Sequence, residues 1–277
     1  MPQATTDQGQ VLVIGGGGYI GSQMVKLLAN RSQGVVTLDN FSTGYRDAVH
    51  YGECIEGDLG DPEVLDEILS SRPISAVMHF AAFSLVGESV SDPGKYYRNN
   101  VAKTQSLLDA LVRGEVRDFI FSSTAAVYGE PVRIPIDESH PQHPVNPYGA
   151  SKWMVERMLQ DYREAYGLRS VSLRYFNAAG ADPEGELGER HEPETHLIPN
   201  VLQAASGRKA AITVNGRDYP TDDGTCVRDY IHVSDLCEAH LKALEHLRNG
   251  GEGGAFNLGN GAGYSIQEVL DTARAVT

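Results

Sequence analysis

One glycine-rich stretch near the start of the chain constrains its fold more than any other feature. Residues 11–22 read V-L-V-I-G-G-G-G-Y-I-G-S, so a short apolar run typical of a buried strand leads into glycines and then into a helical pattern. Gly15 permits a tight turn, Gly18 lets the backbone approach a pyrophosphate, and Gly21 lets the helix pack close to the strand. The N-terminus of that helix offers unpaired N–H groups and a positive dipole end to phosphates. The stretch therefore predicts a nucleotide-binding unit, with the spacing G-x-x-G-x-x-G in place of G-x-G-x-x-G.

An acidic residue follows the second predicted strand, which covers residues 34–38. Asp39 comes 18 residues after Gly21 and can accept hydrogen bonds from both ribose hydroxyls of an adenosine. Its carboxylate would also repel a 2′-phosphate. The position therefore favours NAD over NADP.

Strand and helix patterns continue to alternate along the chain. Further strands are predicted over residues 53–56, 76–82, 119–122 and 170–175, with helical segments between them. Such alternation produces right-handed crossovers and a parallel sheet, whose ligands bind beyond the carboxyl ends of the strands. We therefore predict an α/β fold, a Rossmann-type doubly wound parallel sheet with a smaller, irregular C-terminal substrate lobe.

A tyrosine and a lysine lie one helical turn apart in the middle of the chain. Tyr148 and Lys152 are i and i+4 in a helix predicted to run to about Tyr166, so they share one face. A tyrosine with a pKa of about 10 is a poor base at neutral pH, and a nearby ammonium would lower that pKa. Thr124, at the end of a predicted strand, could pass a proton between a sugar hydroxyl and Tyr148. Downstream of a nucleotide-binding half, this pattern predicts an acid–base site.

Composition narrows the partners and the compartment. The formal net charge of −14 argues against nucleic acid or an anionic membrane as the main partner. Cys54, Cys226 and Cys237 are odd in number and far apart, which predicts reduced thiols in a cytoplasmic protein. No apolar run approaches a membrane span, and residues 1–10 lack the order of a signal peptide.

Two pairs of histidines in the sequence are candidate metal ligands. His140 and His143 lie among prolines without further ligands, whereas His191 lies in, and His196 just after, an acidic stretch over residues 181–194. The charges of that stretch are expected to face solvent. We therefore expect no metal site.

The combination of motifs resembles the extended short-chain dehydrogenase/reductase superfamily and, within it, the UDP-glucose 4-epimerases. The matching stretches extend from residue 11 towards the end of the chain. They are Gly16–Ser22, Leu38–Asn40, Val86–Ser89, Phe119–Gly129, Asn146–Lys152, Arg174–Gly180, Asp223–Val233 and Phe256–Gly259.

This resemblance implies an isomerase that interconverts UDP-glucose and UDP-galactose with a tightly bound NAD. The sugar would be oxidised transiently at C4, the 4-keto intermediate would rotate, and the hydride would return on its other face. A homodimer is also implied, with the helices that begin at Pro93 and Tyr148 as its faces.

The resemblance and the strand-end positions together imply three sets of site residues. The catalytic residues are expected to be Thr124, Tyr148 and Lys152. The cofactor-binding residues are expected to be Gly15, Gly18, Tyr19, Ile20, Gly21, Asp39, Asn40, Thr43, Gly44, Asp58, Leu59, Phe80, Ala81, Ala82, Ser84, Asn99, Ser122, Tyr148, Lys152, Tyr175 and Phe176. The substrate-binding residues are expected to be Thr124, Tyr148, Asn177, His196, Leu197, Asn215, Arg228 and Tyr230.

Several alternatives remain at this point. Related 4,6-dehydratases carry an Asp-Glu pair directly after the threonine, where this chain has Ala125 and Ala126, which argues against dehydration. A UDP-sugar decarboxylase, or an epimerase of a UDP-uronic acid or UDP-N-acetylhexosamine, stays possible. So does a catalytically impaired NAD-binding module, because the chain ends before the Arg-x-Gly-Asp motif of the family.

The predicted domain organisation follows from the same pattern. Residues 1–10 are expected to form a disordered leader, and residues 11–176 the NAD-binding domain, with one later strand and helix contributed by about 230–250. Residues 177–277 are expected to form mainly the substrate-binding lobe, truncated at its C-terminus relative to the family.

Overall fold

The computed structural model of the chain describes residues 9–277. The leader predicted over residues 1–10 therefore lies almost wholly outside the described residues, and Gln10 already belongs to the first strand. The strands are β1 (Gln10–Ile14), β2 (Val35–Asp39), β3 (Glu53–Glu56), β4 (Ile74–His79), β5 (Asp118–Ser122), β6 (Arg169–Tyr175), β7 (Asn177–Ala179), β8 (Val227–Arg228), β9 (Tyr230–His232), β10 (Gly254–Leu258) and β11 (Tyr264–Ser265). The α-helices are α1 (Tyr19–Asn30), α2 (Pro62–Ser71), α3 (Val86–Ser91), α4 (Pro93–Tyr96), α5 (Lys103–Arg113), α6 (Pro147–Tyr166), α7 (Leu197–Ala205), α8 (Val233–Arg248) and α9 (Ile266–Val276).

Seven parallel strands form the central sheet. Their order is β10-β6-β5-β4-β1-β2-β3, so the chain winds one way from β1 through β3 and the other way from β4 through β6. The direction of winding reverses between β1 and β4, which is where ligands bind in doubly wound sheets. The arrangement confirms the predicted Rossmann-type α/β fold.

The sheet is buried on both faces, as a parallel sheet requires. Successive residues of β1 point to opposite sides, Leu12 and Ile14 into one apolar core and Val11 and Val13 into the other, and each is at most 1% exposed. Helices α1 and α8 cover one face, and α2, α5 and α6 cover the other. This double covering holds the carboxyl ends of the strands at fixed positions.

Local sequence signals predict the start of α2 correctly but place the end of β4 too late. The side chain of Asp61 accepts a hydrogen bond from Glu63 N (3.0 Å) and Pro62 opens α2, as their order predicts. The fourth strand, predicted over 76–82, instead ends at His79. The reason is that Phe80 N and Ala81 N both donate to Ile14 O, at 2.8 and 3.1 Å, which turns the chain away from the sheet.

The helix predicted from Pro93 to Arg113 contains a π-helical segment, Tyr97–Ala102, between α4 and α5. Within it, Asn100 is buried and pairs with the backbone of Phe83, whose N donates to Oδ1 (3.0 Å) and whose O accepts from Nδ2 (3.0 Å). Asn100 Nδ2 also donates to Ser151 Oγ on α6 (3.1 Å). The widened turn therefore accompanies a buried asparagine that joins three segments near the sheet edge.

The residues after β6 alternate between the main sheet and a smaller set of elements. Strands β7 and β9 pair in parallel, β8 and β11 pair antiparallel, and α7 packs against α9. The later helix α8 falls within the predicted range of about 230–250, whereas the later strand, β10, lies just beyond it. Of the helices within residues 9–277, none has both the length and the apolar character needed to cross a bilayer.

Candidate active site

The glycine loop between β1 and α1 and the first turn of α1 leave no room for a side chain at Gly15 or at Gly21. Gly15 has a φ of 84°, and a Cβ added to it would lie 2.6 Å from Ala81 N. A Cβ on Gly21 would lie 2.1 Å from Gly15 O. Gly18, the residue before α1, has extended backbone, and within the described chain no side chain caps this helix. The N–H groups of its first turn are therefore directed at the edge where a phosphate would bind.

Replacing Gly21 by alanine should destabilise the chain by about 1–3 kcal/mol and abolish retention of NAD, because Gly15 O belongs to the backbone and can yield little. The matched control is Gly87→Ala in α3, where an added Cβ meets nothing within 4 Å and the change should improve helix stability slightly. Urea denaturation and the NAD content of purified protein are the measurements. Equal stability of the two variants would contradict the role given to Gly21.

Asp39, at the end of β2, faces the glycine loop. Its Oδ2 accepts from Gly17 N (2.8 Å) and its Oδ1 accepts from Phe41 N (2.7 Å). On the next strand end, Asp58 Oδ2 accepts from Asn40 Nδ2 (3.0 Å). These contacts bring the carboxylates of two neighbouring strand ends to one side of the loop, where the sequence predicts the adenosine half of NAD.

The other members of the predicted cofactor set share this edge of the sheet. Asn99 lies in the π-helical segment and donates from Nδ2 to Asn100 Oδ1 (3.1 Å). The rest lie at the start of α1 or at and after the strand ends, and they are Tyr19, Ile20, Thr43, Gly44, Leu59, Phe80, Ala81, Ala82, Ser84, Ser122, Tyr175 and Phe176.

The start of α6 positions the predicted catalytic pair. Asn146 Oδ1 accepts from Gly149 N (2.8 Å), which caps the helix and sets Tyr148 in its first turn, one turn before Lys152. Lys152 is 4% exposed; its Nζ donates to Ser122 O (2.8 Å) and lies 4.8 Å from the centre of the Phe121 ring. An ammonium has three donors, so two remain for a ligand at this strand end.

Burial shifts the acid–base properties of both residues. It lowers the pKa of Lys152 to about 7, against the effect of the Glu156 carboxylate, which raises that pKa. Burial raises the pKa of Tyr148, and the Thr124 hydroxyl, which can donate to the phenolate, acts in the opposite direction. The sequence reasoning expected Lys152 to lower the Tyr148 pKa. In the structure, burial decides the direction of the Tyr148 pKa shift, and the group that acts against it is Thr124.

The predicted substrate residues come together less completely. Strands β7 and β9 place Asn177 opposite Tyr230, and Asn177 N donates to Asp229 O (3.1 Å). Arg228 on β8 is exposed and bonds through Nη1 to Val227 O (2.9 Å); it has no carboxylate within ion-pair range in residues 9–277. Its guanidinium is thus available to an anionic ligand.

The remaining three lie in the segment between β7 and β8. His196 directly precedes α7 and its ring Nδ1 is hydrogen-bonded to Glu189, while Leu197 is the first residue of the helix. Asn215 is exposed in an irregular stretch, and its side chain makes no hydrogen bond within the described part of the chain. The structure gives Asn215 no visible link to the other predicted substrate residues.

Sequence reasoning missed a buried ionic network directly beneath the catalytic pair. Glu156, one helical turn after Lys152, forms a salt bridge of 2.5 Å with Arg174 of β6, and both side chains are less than 7% exposed. Ser123 Oγ also donates to Glu156 (2.5 Å), and Arg174 Nη1 donates to Tyr128 Oη (2.8 Å). The i+4 spacing from Lys152 places Glu156 on the same face of α6, which the sequence shows. The sequence does not show that Arg174 of β6 is the partner of Glu156.

The acidic loop, residues 181–194, contacts the nucleotide-binding half, so only part of its charge faces solvent as the sequence predicts. Lys26 of α1 is 6% exposed and makes ion pairs with Asp182 (2.8 Å), Glu184 (2.7 Å) and Glu186 (3.0 Å). Just before this loop, Gly180 O accepts from Tyr19 Oη (2.6 Å). Asp182 turns inward because α1 offers a buried ammonium that needs a counter-charge, whereas the Glu184 and Glu186 side chains remain 69% and 40% exposed.

Comparison with known proteins agrees with this geometry. A profile of the NAD dependent epimerase/dehydratase family matches residues 11–259. The UDP-glucose 4-epimerase of Halalkalibacterium halodurans is 52% identical over 267 residues, which cover 96% of this chain and 80% of that protein.

Solved structures show the same similarity. The crystal structure of UDP-glucose 4-epimerase from Brucella ovis in complex with NAD superposes with a TM-score of 0.93 at 55% identity, covering 95% of this chain and 81% of that one. The enzyme from Bifidobacterium longum in complex with NAD+ and UDP gives a TM-score of 0.89 at 38% identity, with 95% and 81% coverage. The family profile covers most of the chain, and the Halalkalibacterium halodurans enzyme is identical to this chain at about half of the aligned positions. This protein therefore belongs to the NAD dependent epimerase/dehydratase family.

Proposed function

We propose that this chain is an NAD-dependent isomerase that interconverts UDP-glucose and UDP-galactose. The observation that carries the proposal is the convergence of Thr124, Tyr148 and Lys152 at the sheet edge that also bears the glycine loop and Asp39. Relatives with the same scaffold carry the name UDP-glucose 4-epimerase, and one was crystallised with NAD.

The residues present fit NAD. The glycine loop leaves the N-terminus of α1 without a side-chain cap, as binding of a pyrophosphate there requires. Lys152 is buried with one hydrogen bond, to Ser122 O, so its spare donors suit the ribose hydroxyls of a nicotinamide nucleotide. Asp39 supplies a carboxylate for the adenosine ribose.

In the proposed reaction the chain moves a proton and holds the sugar nucleotide. Tyr148 accepts the proton of the sugar 4-hydroxyl and later returns it, and Thr124 links that hydroxyl to the phenol. NAD, when bound, supplies the acceptor and then the donor of the hydride at sugar C4. Arg228 holds the diphosphate, and Asn177 contacts the substrate beside the nicotinamide. A firm hold on UDP with few contacts to the sugar lets the 4-keto sugar rotate between the two half-reactions.

The direct test is conversion of UDP-galactose to UDP-glucose by the purified 277-residue chain with no NAD added. We expect conversion, together with about one NAD per chain in the supernatant after denaturation, because the cofactor returns to its starting state in each turnover. Retained NAD without turnover would contradict epimerase activity. Absence of both would contradict the cofactor site as well.

The same proposal includes a homodimer in the cytoplasm. Helix α6 and the helical segments near it carry exposed large apolar side chains. They are Trp153 and Met154 on α6, Tyr97 before α5 and Val90 on α3. A second copy would cover these side chains, and sedimentation would show a mass twice that of the chain. The three cysteines are free, as expected for a reducing compartment.

A further inference from the structure

The second half of the acidic loop and His196, which directly precedes α7, form a cluster to which the proposed reaction assigns no chemical step. Two glutamates and two histidines, Glu189, His191, Glu194 and His196, each offer one ligand atom, and these atoms all lie within 4.8 Å of one another. Both glutamate side chains are only 7% exposed. The cluster thus brings two shielded carboxylates together with two imidazoles whose side chains are partly open to solvent, at 31% for His191 and 48% for His196.

Within residues 9–277, only histidine rings pair with the two carboxylates of this cluster. No Lys or Arg nitrogen within residues 9–277 lies within 4 Å of either carboxylate, and Arg190, between them in sequence, turns away to Asp47. The first half of the same loop makes an instructive contrast, because its three carboxylates share the buried ammonium of Lys26. Two adjacent buried carboxylates are costly without a cation, and a histidine ring supplies one only when it is protonated, so a metal ion would stabilise Glu189 and Glu194.

His191 points to where that cation would lie. Its Nδ1 is buried and lacks a hydrogen-bond partner, yet it stands 3.5 Å from Glu189 Oε1 and 3.5 Å from Glu194 Oε2. In a tetrahedral zinc site with bonds of about 2.0–2.1 Å, neighbouring ligand atoms are about 3.3–3.4 Å apart. The nitrogen is therefore too far from either oxygen for a hydrogen bond, and at the separation that a shared metal ion imposes.

His196 can serve as the fourth ligand. Its Nδ1 is hydrogen-bonded to Glu189, and its backbone N donates to Glu194 Oε1 (2.8 Å). A metal ion would replace the proton between the His196 ring and Glu189, and the two groups would separate slightly. Such replacement is the usual way in which metal binding releases a proton.

We propose that Glu189, His191, Glu194 and His196 bind one Zn²⁺ ion. Four protein ligands of nitrogen and carboxylate type suit Zn²⁺ and close its coordination shell, which is typical of a structural and not a catalytic zinc site. The ion would fix the loop that leads into α7, and the His191 ring lies edge-on to Tyr19 of the glycine loop, with 6.4 Å between ring centres. This assignment replaces the expectations from sequence that His191 and His196 bind no metal and that His196 contacts the substrate.

The experiment is titration of chelator-treated, NAD-containing protein with Zn²⁺ in a calorimeter, followed by the visible spectrum of the Co²⁺-loaded protein. We expect one ion per chain and the absorption of four-coordinate Co²⁺. Glu194→Gln and His191→Ala should each weaken Zn²⁺ binding by about 100-fold or more, because altering groups that merely orient a ligand already costs about 10–100-fold. His143→Ala, an exposed histidine outside the cluster, and Glu184→Gln, in the first half of the loop, should bind Zn²⁺ like the parent.

Several results would overturn the proposal. They are absence of stoichiometric binding by the parent chain, a six-coordinate Co²⁺ spectrum, or equal affinity in Glu194→Gln and His143→Ala. Circular dichroism shows whether each variant is folded, and if both ligand variants are unfolded, the stoichiometry and Co²⁺ spectrum of the parent decide. None of these measurements uses a sugar nucleotide, so the result is independent of the proposed epimerase activity.

Discussion

Replacing Tyr148 by phenylalanine should lower kcat by about 10²–10⁴-fold while NAD stays bound, since positioned proton transfer contributes about that much to rates. The phenol oxygen is the group that takes the proton from the sugar 4-hydroxyl in the proposed reaction. Phenylalanine keeps the ring and the packing of the first turn of α6, whose Asn146 cap does not involve the phenol. The loss should therefore appear in kcat and leave the unfolding free energy nearly unchanged.

The matched control for Tyr148 is Tyr166→Phe at the other end of the same helix. Tyr166 is 57% exposed and packs against Tyr162, with 5.3 Å between ring centres. We expect parental kcat in this variant. The measurements are initial rates of UDP-galactose conversion and NAD released on denaturation. Loss of NAD from Tyr148→Phe, or a rate close to the parent, would contradict the division of roles between the phenol and the cofactor-binding residues.

Glu156→Ala should be the most destabilising single change in the site, lowering the unfolding free energy by about 3–5 kcal/mol. Alanine leaves the Arg174 guanidinium buried without its carboxylate, and Arg174 is 3% exposed. It also removes the acceptor of Ser123 Oγ at the end of β5. The large effect comes from leaving the Arg174 charge buried without a counter-charge. The net contribution of a buried ion pair to the free energy of unfolding is itself often small.

The next residue along α6 provides the control. Arg157 pairs with Asp161 (2.7 Å) one turn away, but both side chains are more than half exposed. Arg157→Ala should cost less than about 0.5 kcal/mol, because solvent screens an exposed pair. Urea denaturation monitored by circular dichroism measures both variants. Comparable losses in the two would show that Arg174 finds another partner when Glu156 is absent.

Features encoded by neighbouring residues could be predicted from the sequence. The glycine loop, the Asp61 cap and the pair Tyr148 and Lys152 each depend on spacings of a few residues, and local geometry alone decides what such spacings can form. The parallel sheet followed because alternating strands and helices leave few topologies open. The family resemblance, which comparison confirmed, rested on those same local motifs.

Features that depend on distant partners could not be predicted. Glu156 and Arg174 are 18 residues apart in sequence, and Lys26 and Asp182 are 156 apart. The widened helical turn at Asn100 depends on a backbone segment that precedes the helix. In each case a polar side chain is buried against a partner that tertiary packing supplies, and no periodic pattern records that pairing. The same limit explains why the acidic loop was expected to face solvent.

The ion pairs that join the acidic loop to α1 bear on how fast the cofactor could be exchanged. Because Lys26 of α1 pairs with Asp182, Glu184 and Glu186, and Gly180 O accepts from Tyr19 Oη, we expect the acidic loop to detach before NAD leaves the chain. Detachment separates the buried Lys26 ammonium from the buried Asp182 carboxylate, which is costly and therefore slow. The time for which NAD stays bound over many turnovers would then depend on how slowly these ion pairs break, and not on affinity alone. Salt would shorten that time.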